Sequence, residues 1–217
     1  MKKTLLLALA LIAVGCSEPI PDLQEMRALA EQGDAIAQYN LGFMYANGEG
    51  VSEDDAEAVR LYRLAAEQGL AVAQYNLGLY YLSGEGGVPE DDVEAVRWYR
   101  LAAEQGMAEA QFNLGVMYAG GEGVPEDDVE AFGQFQLAAE QGHMPAQSRL
   151  GFMYEVGSGI TEDDVLAYMW YNLAAAQGQQ LAASLKDNIE ERMTRERIAE
   201  AQRLSREWLE THPPGGN

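Results

Sequence analysis

Residues 35–51 read AIAQYNLGFMYANGEGV, and close copies of this stretch follow at residues 71–88, 108–124 and 144–160. The phrase AEQG ends at Gly33, Gly69, Gly106 and Gly142, and the variant AAQG ends at Gly178, so the pattern recurs every 36 or 37 residues. A fixed period of this length is typical of a solenoid, in which one supersecondary unit is stacked repeatedly. Solenoids usually work by presenting an extended surface to a partner. The sequence therefore predicts an architecture and a broad class of function, but it does not identify a partner.

Each repeat is predicted to be a hairpin of two helices. In the first repeat, Ala37, Leu41 and Tyr45 recur at four-residue spacing, which places them on one face of a helix. The glycines of the NGEG sequence that follows can adopt positive φ and end that helix. Residues 52–55, SEDD, then provide an N-cap and negative charge for a second helix, whose apolar stripe includes Tyr62.

A glycine recurs inside the first helix of every repeat. Glycine in a helix costs about 1 kcal/mol relative to alanine, so four glycines in register need a reason. The simplest reason is close approach of the paired helix, with a large ring filling the gap. Two sets of rings could fill it: tyrosines of the first helix, or Tyr62 and its copies Tyr99, Phe135 and Tyr171 of the second. The predicted structural positions are Leu41, Leu77, Leu114 and Leu150; Gly42, Gly78, Gly115 and Gly151; and Tyr45, Tyr81, Tyr118 and Tyr154.

The shared pattern resembles the Sel-one-like repeat (SLR) family, whose members are relatives of tetratricopeptide repeats. The resemblance rests on A-x-x-x-L-G-x-x-Y, G-x-G-V, an Asp, A-x-x-x-Y and AAEQG, and it covers roughly residues 22–178 as a half repeat plus four full repeats. It implies an all-α, right-handed solenoid, and we expect about 11 helices. Residues 179–217 are expected to form two capping helices and a tail, with Thr194 as an N-cap and Ile198, Leu204 and Trp208 covering the last repeat.

The N-terminus predicts export. A basic start and a short apolar run in residues 1–15 are typical of a signal peptide, and the run is too short to span a bilayer. The sequence AVGC at residues 13–16 resembles the lipobox of bacterial lipoproteins. This resemblance implies that Cys16 is acylated, with palmitate among the acyl groups. It also implies that residues 16–21 form a tether. An ordinary cleaved signal or a buried N-terminal helix is the alternative, because Ala13 stands where leucine is usual. By resemblance to lipoprotein sorting, Ser17 implies the periplasmic face of the outer membrane.

Charge and cysteine content narrow the classes of partner. The chain has 14 Lys and Arg against 35 Asp and Glu, a formal net charge of −21. Such a surface repels nucleic acid and anionic lipid headgroups, and it favours a basic partner or divalent cations. The alternative is a merely solubilising exterior. Cys16 is the only cysteine, so an intrachain disulfide is excluded.

The sequence contains no recognisable catalytic set. His143 and His212 have no Cys or His at metal-ligand spacing, and both are expected to be exposed to solvent. Nucleophile-elbow, phosphate-loop and HExxH patterns are missing. Some cysteine-rich relatives of this repeat family bind or hydrolyse β-lactams and carry disulfides in each repeat, but this chain has no cysteines at those positions. We therefore expect no enzyme activity and no cofactor.

Acidic clusters precede the second helices, at residues 53–55, 90–92, 126–128 and 162–164. Clustered carboxylates are calcium ligands in many proteins. Consecutive acids on a helix, however, diverge by about 100° each, and acids at a helix start stabilise its N-terminus without a metal. Helix capping is the favoured interpretation, and no metal site is predicted.

The best candidate for function is a track of aromatic and apolar residues on the first helices. In tetratricopeptide relatives the first helix of each hairpin lines a concave groove, which implies a partner-binding role for Tyr39, Phe43, Tyr75, Leu79, Phe112, Val116 and Phe152. Such a track could anchor a peptide or a helix. The alternative is that Tyr39 and its copies pack between adjacent repeats. The series Asn40, Asn76 and Asn113 ends in Arg149, so the fourth repeat is expected to differ in function.

Two hypotheses for function follow. The first is a non-catalytic, lipid-anchored scaffold of the bacterial envelope, which holds a protein or peptide partner, expected to be basic, in the solenoid groove. The second is a direct binder of cell-wall glycan or peptide, in which Tyr39, Tyr75 and Phe112 stack on sugars. Neither the oligomeric state nor the identity of the partner follows from the sequence.

Overall fold

The structure, a computed structural model, describes residues 22–212 of the chain. In that range it forms eleven α-helices and no strand, which confirms the all-α prediction and the expected number of helices. In chain order the helices are α1 (Leu23–Glu31), α2 (Ala35–Asn47), α3 (Asp55–Glu67), α4 (Ala71–Ser83), α5 (Asp92–Glu104), α6 (Ala108–Gly120), α7 (Asp128–Glu140), α8 (Met144–Val156), α9 (Asp164–Ala176), α10 (Gln180–Glu190) and α11 (Arg195–Thr211).

The helices stack as a solenoid of four hairpins, α2–α3, α4–α5, α6–α7 and α8–α9. The second helix of each hairpin packs against the first helix of the next, and α1 packs against α2 as the second helix of a half repeat. Contacts therefore run mainly between neighbours in the chain, as in other repeat proteins. The right-handed sense of the superhelix stays a prediction.

Caps fix the turn inside each hairpin. Each first helix ends at a left-handed glycine, such as Gly121 with a φ of 67°. Each second helix begins after an aspartate N-cap; Asp127, for example, accepts hydrogen bonds from the amides of Val129 and Glu130 at 3.0 and 3.1 Å. The Asp127 amide itself donates to the Tyr118 carbonyl in the first helix at 3.0 Å, and the equivalent bond recurs in the other three hairpins. The aspartate thus sets both the start of the second helix and its position against the first.

The glycine inside each first helix lies against a ring of the second helix. A Cβ placed on Gly115 would lie 2.8 Å from Cε1 of Phe135, and one on Gly151 would lie 2.7 Å from Cδ1 of Tyr171. The same contact joins Gly42 to Tyr62 and Gly78 to Tyr99. Because a real Cβ would overlap the ring, the absence of a side chain is what lets the two helices approach. Of the two sets of rings that the sequence offers, the second-helix set fills the gap.

The tyrosines of the first helices join successive hairpins instead. The hydroxyls of Tyr81 and Tyr118 accept hydrogen bonds at 3.1 Å from Arg63 and Arg100, respectively. Each arginine belongs to the second helix of the preceding hairpin. These tyrosines therefore contribute to the stacking of repeats rather than to the glycine contact.

Buried glutamines also join neighbouring hairpins, and the sequence patterns did not single them out. Gln111 is only 4% exposed, and its Nε2 donates to the Ala103 carbonyl in the preceding second helix at 3.3 Å. Its Oε1 accepts a hydrogen bond from Nε2 of Gln141, the glutamine of the AEQG phrase, at 2.7 Å. Equivalent pairs at 2.7–2.8 Å are Gln38–Gln68, Gln74–Gln105 and Gln147–Gln177. Since a buried amide without partners is costly, each pair holds the turn between hairpins in one position.

The last two helices close the C-terminal end of the solenoid. α10 packs on α9 in the place of a further first helix, and α11 also packs mainly on α9. Thr194 caps α11, since its hydroxyl accepts a hydrogen bond from the Arg197 amide at 3.4 Å. Ile198, Leu204 and Trp208 pack against the apolar clusters of α9, which is the cover that the sequence predicted.

Replacing Gly115 by alanine should destabilise the protein, because the new Cβ would collide with the Phe135 ring. We expect the free energy of unfolding to fall by about 1–3 kcal/mol, the usual cost of overpacking. The matched control is Gly133→Ala in α7, where an added Cβ meets nothing within 4 Å; it should stabilise by up to about 1 kcal/mol. Chemical denaturation measures both changes, and equal shifts would reject the ring contact as the reason for Gly115.

Candidate protein-binding surface

One side of the first helices carries a row of apolar residues along the solenoid. The row consists of Phe43, Leu79, Val116 and Phe152, one from each hairpin. The first three are half-buried, whereas Phe152 is 44% exposed. Val156, one turn further along α8, is 51% exposed, and the other hairpins have polar or small residues in its place. The fourth hairpin therefore exposes two apolar residues of this first-helix surface, and the first hairpin exposes one, Ile36, at 58%.

Tyr39, Tyr75 and Phe112, the remaining groove candidates, are half-buried between hairpins. The Tyr39 ring lies 5.6 Å from that of Tyr62, and the Phe112 ring lies 5.6 Å from that of Phe135. Each of the three candidates also packs against apolar residues of the following hairpin. These rings therefore follow the alternative interpretation, in which Tyr39 and its copies pack between adjacent repeats. Only part of each ring reaches solvent.

Asparagines on the first helices lie near the hydroxyls of these tyrosines. Asn76 is the neighbour of Tyr39, and Asn113 that of Tyr75, across the boundary between hairpins. Burial raises the pKa of both tyrosines, and the asparagine offsets part of that rise. Phe112 has no hydroxyl, and the matching position of the next hairpin holds Arg149 instead of asparagine. Arg149 thus lies where neither Phe112 nor Phe135 offers a hydroxyl.

Arg149 is left free to meet a partner. It is exposed and makes no ion pair within residues 22–212. It is also the only Lys or Arg from residue 101 to residue 185, a segment with twelve Asp and Glu. Its spacing of three from Phe152 and of seven from Val156 places all three on one face of α8. The fourth hairpin thus presents a guanidinium beside two exposed apolar side chains.

The acidic clusters serve as caps and as contacts between hairpins. The middle aspartate of each cluster is the N-cap of its second helix. Two of the following aspartates bind the next hairpin: Asp55 accepts a hydrogen bond from the Tyr80 hydroxyl at 3.0 Å, and Asp128 accepts one from the Ser158 hydroxyl at 2.6 Å. Among residues 22–212, no group of three His, Cys, Asp or Glu could hold a metal ion.

His143 differs from the expectation that it would be exposed to solvent. It is half-buried, and its Nδ1 accepts a hydrogen bond from the Ala146 amide at 3.3 Å, which makes it the N-cap of α8. Its ring also lies 5.0 Å from that of Phe112. Burial lowers the pKa of His143, and Glu109 offsets part of that effect. No spacing rule finds this role, because the preceding two first helices begin after Leu70 and Met107, whose side chains cannot cap.

An open depression of about 700 Å³ lies at the N-terminal end, away from the first-helix surface. It is lined by Arg27, Tyr45 and the loop from Gly48 to Asp54. In later hairpins the second glycine of this loop rests on the first residue of the preceding second helix, as Gly123 rests on Asp92. α1 begins at Leu23, and among the described residues a Cβ added to the corresponding glycine of the first loop, Gly50, would meet only the Met44 side chain within 4 Å.

Cys16, with the predicted signal peptide and tether, lies in residues 1–21, outside the described residues. Its acylation stays a prediction. None of the helices between residues 22 and 212 is long and apolar enough to cross a membrane.

Comparison with known proteins identifies the repeat. The family model of the Sel1 repeat matches residues 35–70, 71–107, 108–143 and 145–179. A search of curated proteins gave no match. Among solved structures, a protective antigen of uropathogenic Escherichia coli strains that displays an SLR fold is 36% identical with a TM-score of 0.80. A Sel1 repeat protein from Oxalobacter formigenes is also 36% identical, with a TM-score of 0.71.

The chain spans half or less of the length of these two relatives. The alignment with the E. coli antigen covers 93% of this chain and 43% of the antigen. The alignment with the Oxalobacter protein covers 79% of this chain and 50% of that one.

Acidification from about pH 7.5 to about pH 5.5 should destabilise the wild type through His143. Because folding lowers the pKa of this histidine, the unfolded chain takes up the proton first, and stability falls as the pH drops below the ordinary value of about 6.5. The variant His143→Asn keeps a capping side chain that does not titrate, so this part of the pH dependence should flatten. Thermal unfolding of both proteins tests the assignment, and parallel curves would contradict it.

Proposed function

This chain belongs to the Sel1 repeat family, and we propose that it is a non-catalytic scaffold that binds a protein partner on its first-helix surface. Sel1 repeat proteins are generally scaffolds for protein interactions. The observation that carries the proposal is the free Arg149 beside the exposed Phe152 and Val156 on α8. Apolar anchors next to one charged group are the usual basis of specific peptide recognition.

The charge of the repeats supports a basic partner. Residues 35–179 contain five Arg, no Lys and 23 Asp and Glu, a formal charge of −18. Four of the arginines are engaged within the solenoid: Arg60 and Arg97 pair with Glu57 and Glu94 at 2.6 and 2.9 Å, and Arg63 and Arg100 bind tyrosine hydroxyls. Such a surface attracts basic segments at long range, whereas Arg149 suits a single carboxylate at close range.

We place the protein at the bacterial envelope, anchored through Cys16. The support is the lipobox-like sequence AVGC and the basic, apolar start of the chain. Residues 16–21 could extend at most about 20 Å, since each residue spans at most about 3.6 Å. An acyl chain on Cys16 would therefore hold the first hairpin close to the membrane surface, with the fourth hairpin and its exposed Phe152 farther along the solenoid.

The alternative hypothesis, glycan binding, would use ring faces of Tyr39, Tyr75 and Phe112. All three rings are half-buried between hairpins, so they offer a glycan less open surface than the sequence suggested. Glycan binding is therefore tested as the competing outcome.

A photo-crosslinking residue in place of Phe152 should capture a discrete protein from detergent-solubilised envelope, because this position lies at the centre of the proposed contact. The same residue in place of Arg60, which is exposed on a second helix, is the matched control. Adding Arg149→Glu should reduce the Phe152 crosslink at least several-fold without changing thermal stability. Gel analysis and mass spectrometry give the readout.

Two results would contradict the scaffold proposal. Equal crosslinking from both positions would mean that contact with Phe152 is not specific. Retention of the purified protein on protein-free sacculi, lost in a folded Tyr39→Ala/Tyr75→Ala/Phe112→Ala variant, would favour the cell-wall ligand.

The variant Cys16→Ser should release the protein from the membrane fraction, because it removes the thiol that would receive the diacylglycerol. Metabolic labelling with a palmitate analogue should mark the wild type and leave the variant unlabelled. Ser17→Ala is the control, since it changes a neighbouring residue and keeps the thiol. An unlabelled wild type would contradict the lipid anchor, and a mature N-terminus other than residue 16 would show that the segment is an ordinary cleaved signal.

A further inference from the structure

A second candidate surface lies on α7, the second helix of its hairpin. The surface described above lies on the first helices instead. Val129 is 64% exposed and Leu137 is 47% exposed, and Gly133 lies between them at four-residue spacing. A Cβ added to Gly133 would meet nothing within 4 Å. Glycine here costs about 1 kcal/mol of helix stability and gains no contact inside the protein. We call Val129, Gly133 and Leu137 the α7 stripe.

The other hairpins show that this stripe has lost charge. The positions equivalent to Gly133 are Arg60 in α3 and Arg97 in α5, which pair with Glu57 and Glu94. In α7 the acid persists as Glu130 while its arginine is gone. α7 contains Asp128, Glu130 and Glu140 and no Lys or Arg. The stripe is therefore an apolar surface flanked by acids that no cation of α7 neutralises.

The adjacent α9 shows what fits this arrangement of residues. Its three matching residues, Val165, Met169 and Leu173, are apolar and only 8%, 7% and 2% exposed. α11 covers α9, with Leu204 and Trp208 packed against the cluster that contains Met169 and Leu173.

Two arginines near the start of α11 form ion pairs with the aspartates at the start of α9. Arg192, just before α11, lies 2.8 Å from Asp164. Arg197, in the first turn of α11, lies 3.6 Å from Asp164 and 3.9 Å from Asp163. The aspartates Asp127 and Asp128 occupy the same positions at the start of α7.

We propose that the α7 stripe docks an amphipathic helix from a basic partner, in the way that α11 docks on α9. The apolar face of that helix would cover Val129 and Leu137, and a large side chain would fill the space above Gly133. Its Lys or Arg residues would face Asp127, Asp128 and Glu130. A second copy of this chain is disfavoured as the occupant, because each copy has a formal charge of −21. This proposal is independent of the first-helix surface.

The test uses the full chain and an 18-residue amidated peptide with leucines on one helical face and lysines on the other. The deciding variant is Gly133→Arg, which restores the residue of α3 and α5 next to Glu130 and so suits the fold. We expect it to weaken peptide binding at least about tenfold and to leave the melting temperature equal or higher. Phe152→Ser, which alters only the first-helix surface, should change the affinity by less than about twofold.

Four outcomes would overturn the proposal. The Gly133→Arg variant could bind as tightly as the wild type. A peptide of the same composition with its leucines spread around the helix could bind equally well, which would mean attraction by charge alone. Sedimentation could show a wild-type dimer that Gly133→Arg dissolves, which would make a second copy the occupant. A loss of binding in Phe152→Ser but not in Gly133→Arg would place the peptide on the first-helix surface instead, so that failure here leaves the proposed function standing.

Discussion

The contact between a helical glycine and an aromatic ring sets the geometry of every hairpin. The ring of Phe135 occupies the space that a Cβ on Gly115 would need, and the same relation holds in the other three hairpins. The contact fixes how closely the two helices approach, and hence where the next hairpin can rest. The aspartate caps then fix the register, since the Asp127 amide is tied to the Tyr118 carbonyl of the opposite helix. A small change at one of these glycines would therefore shift every hairpin that is stacked beyond it.

Stacking between hairpins depends on polar contacts as much as on apolar ones. The buried glutamine pairs, such as Gln111 with Gln141, satisfy backbone and side-chain groups at each turn. The asparagines lie near tyrosine hydroxyls across the same boundaries, and the arginines Arg63 and Arg100 donate hydrogen bonds to tyrosines of the next hairpin. Because these polar side chains have partners within the solenoid, the side chains without a partner are easily recognised. Arg149 has no partner because the preceding hairpin lacks the tyrosine hydroxyl found in the first two hairpins. The α7 stripe is apolar because Gly133 replaces the arginine found in α3 and α5.

Much of the fold could be predicted because each hairpin repeats the same local signals. Periodic apolar residues, turn glycines and acidic caps gave the helices, and the in-register glycines gave the close approach within a hairpin. The period says little about contacts between hairpins, so the bond from Gln111 to the Ala103 carbonyl was missed, and Tyr39 could be assigned either to packing or to a partner. His143 was misjudged for a related reason: its role depends on the start of α8 and on the ring of Phe112, which is 31 residues away in the chain. The α7 stripe depends on the exposure of Val129 and Leu137, which the repeat pattern alone does not predict.

The way α11 lies across α9 also bears on how proteins of this kind change length. Every hairpin from α2 to α9 offers the same seam to its successor, so a further unit of 36 residues could be added at any such seam without altering the contacts on either side. The last seam is different, because α10 and α11 both pack on α9. Duplication inside the array can therefore lengthen the molecule while its C-terminal end is inherited unchanged. The number of hairpins can therefore change in evolution, whereas the spacing between successive hairpins cannot.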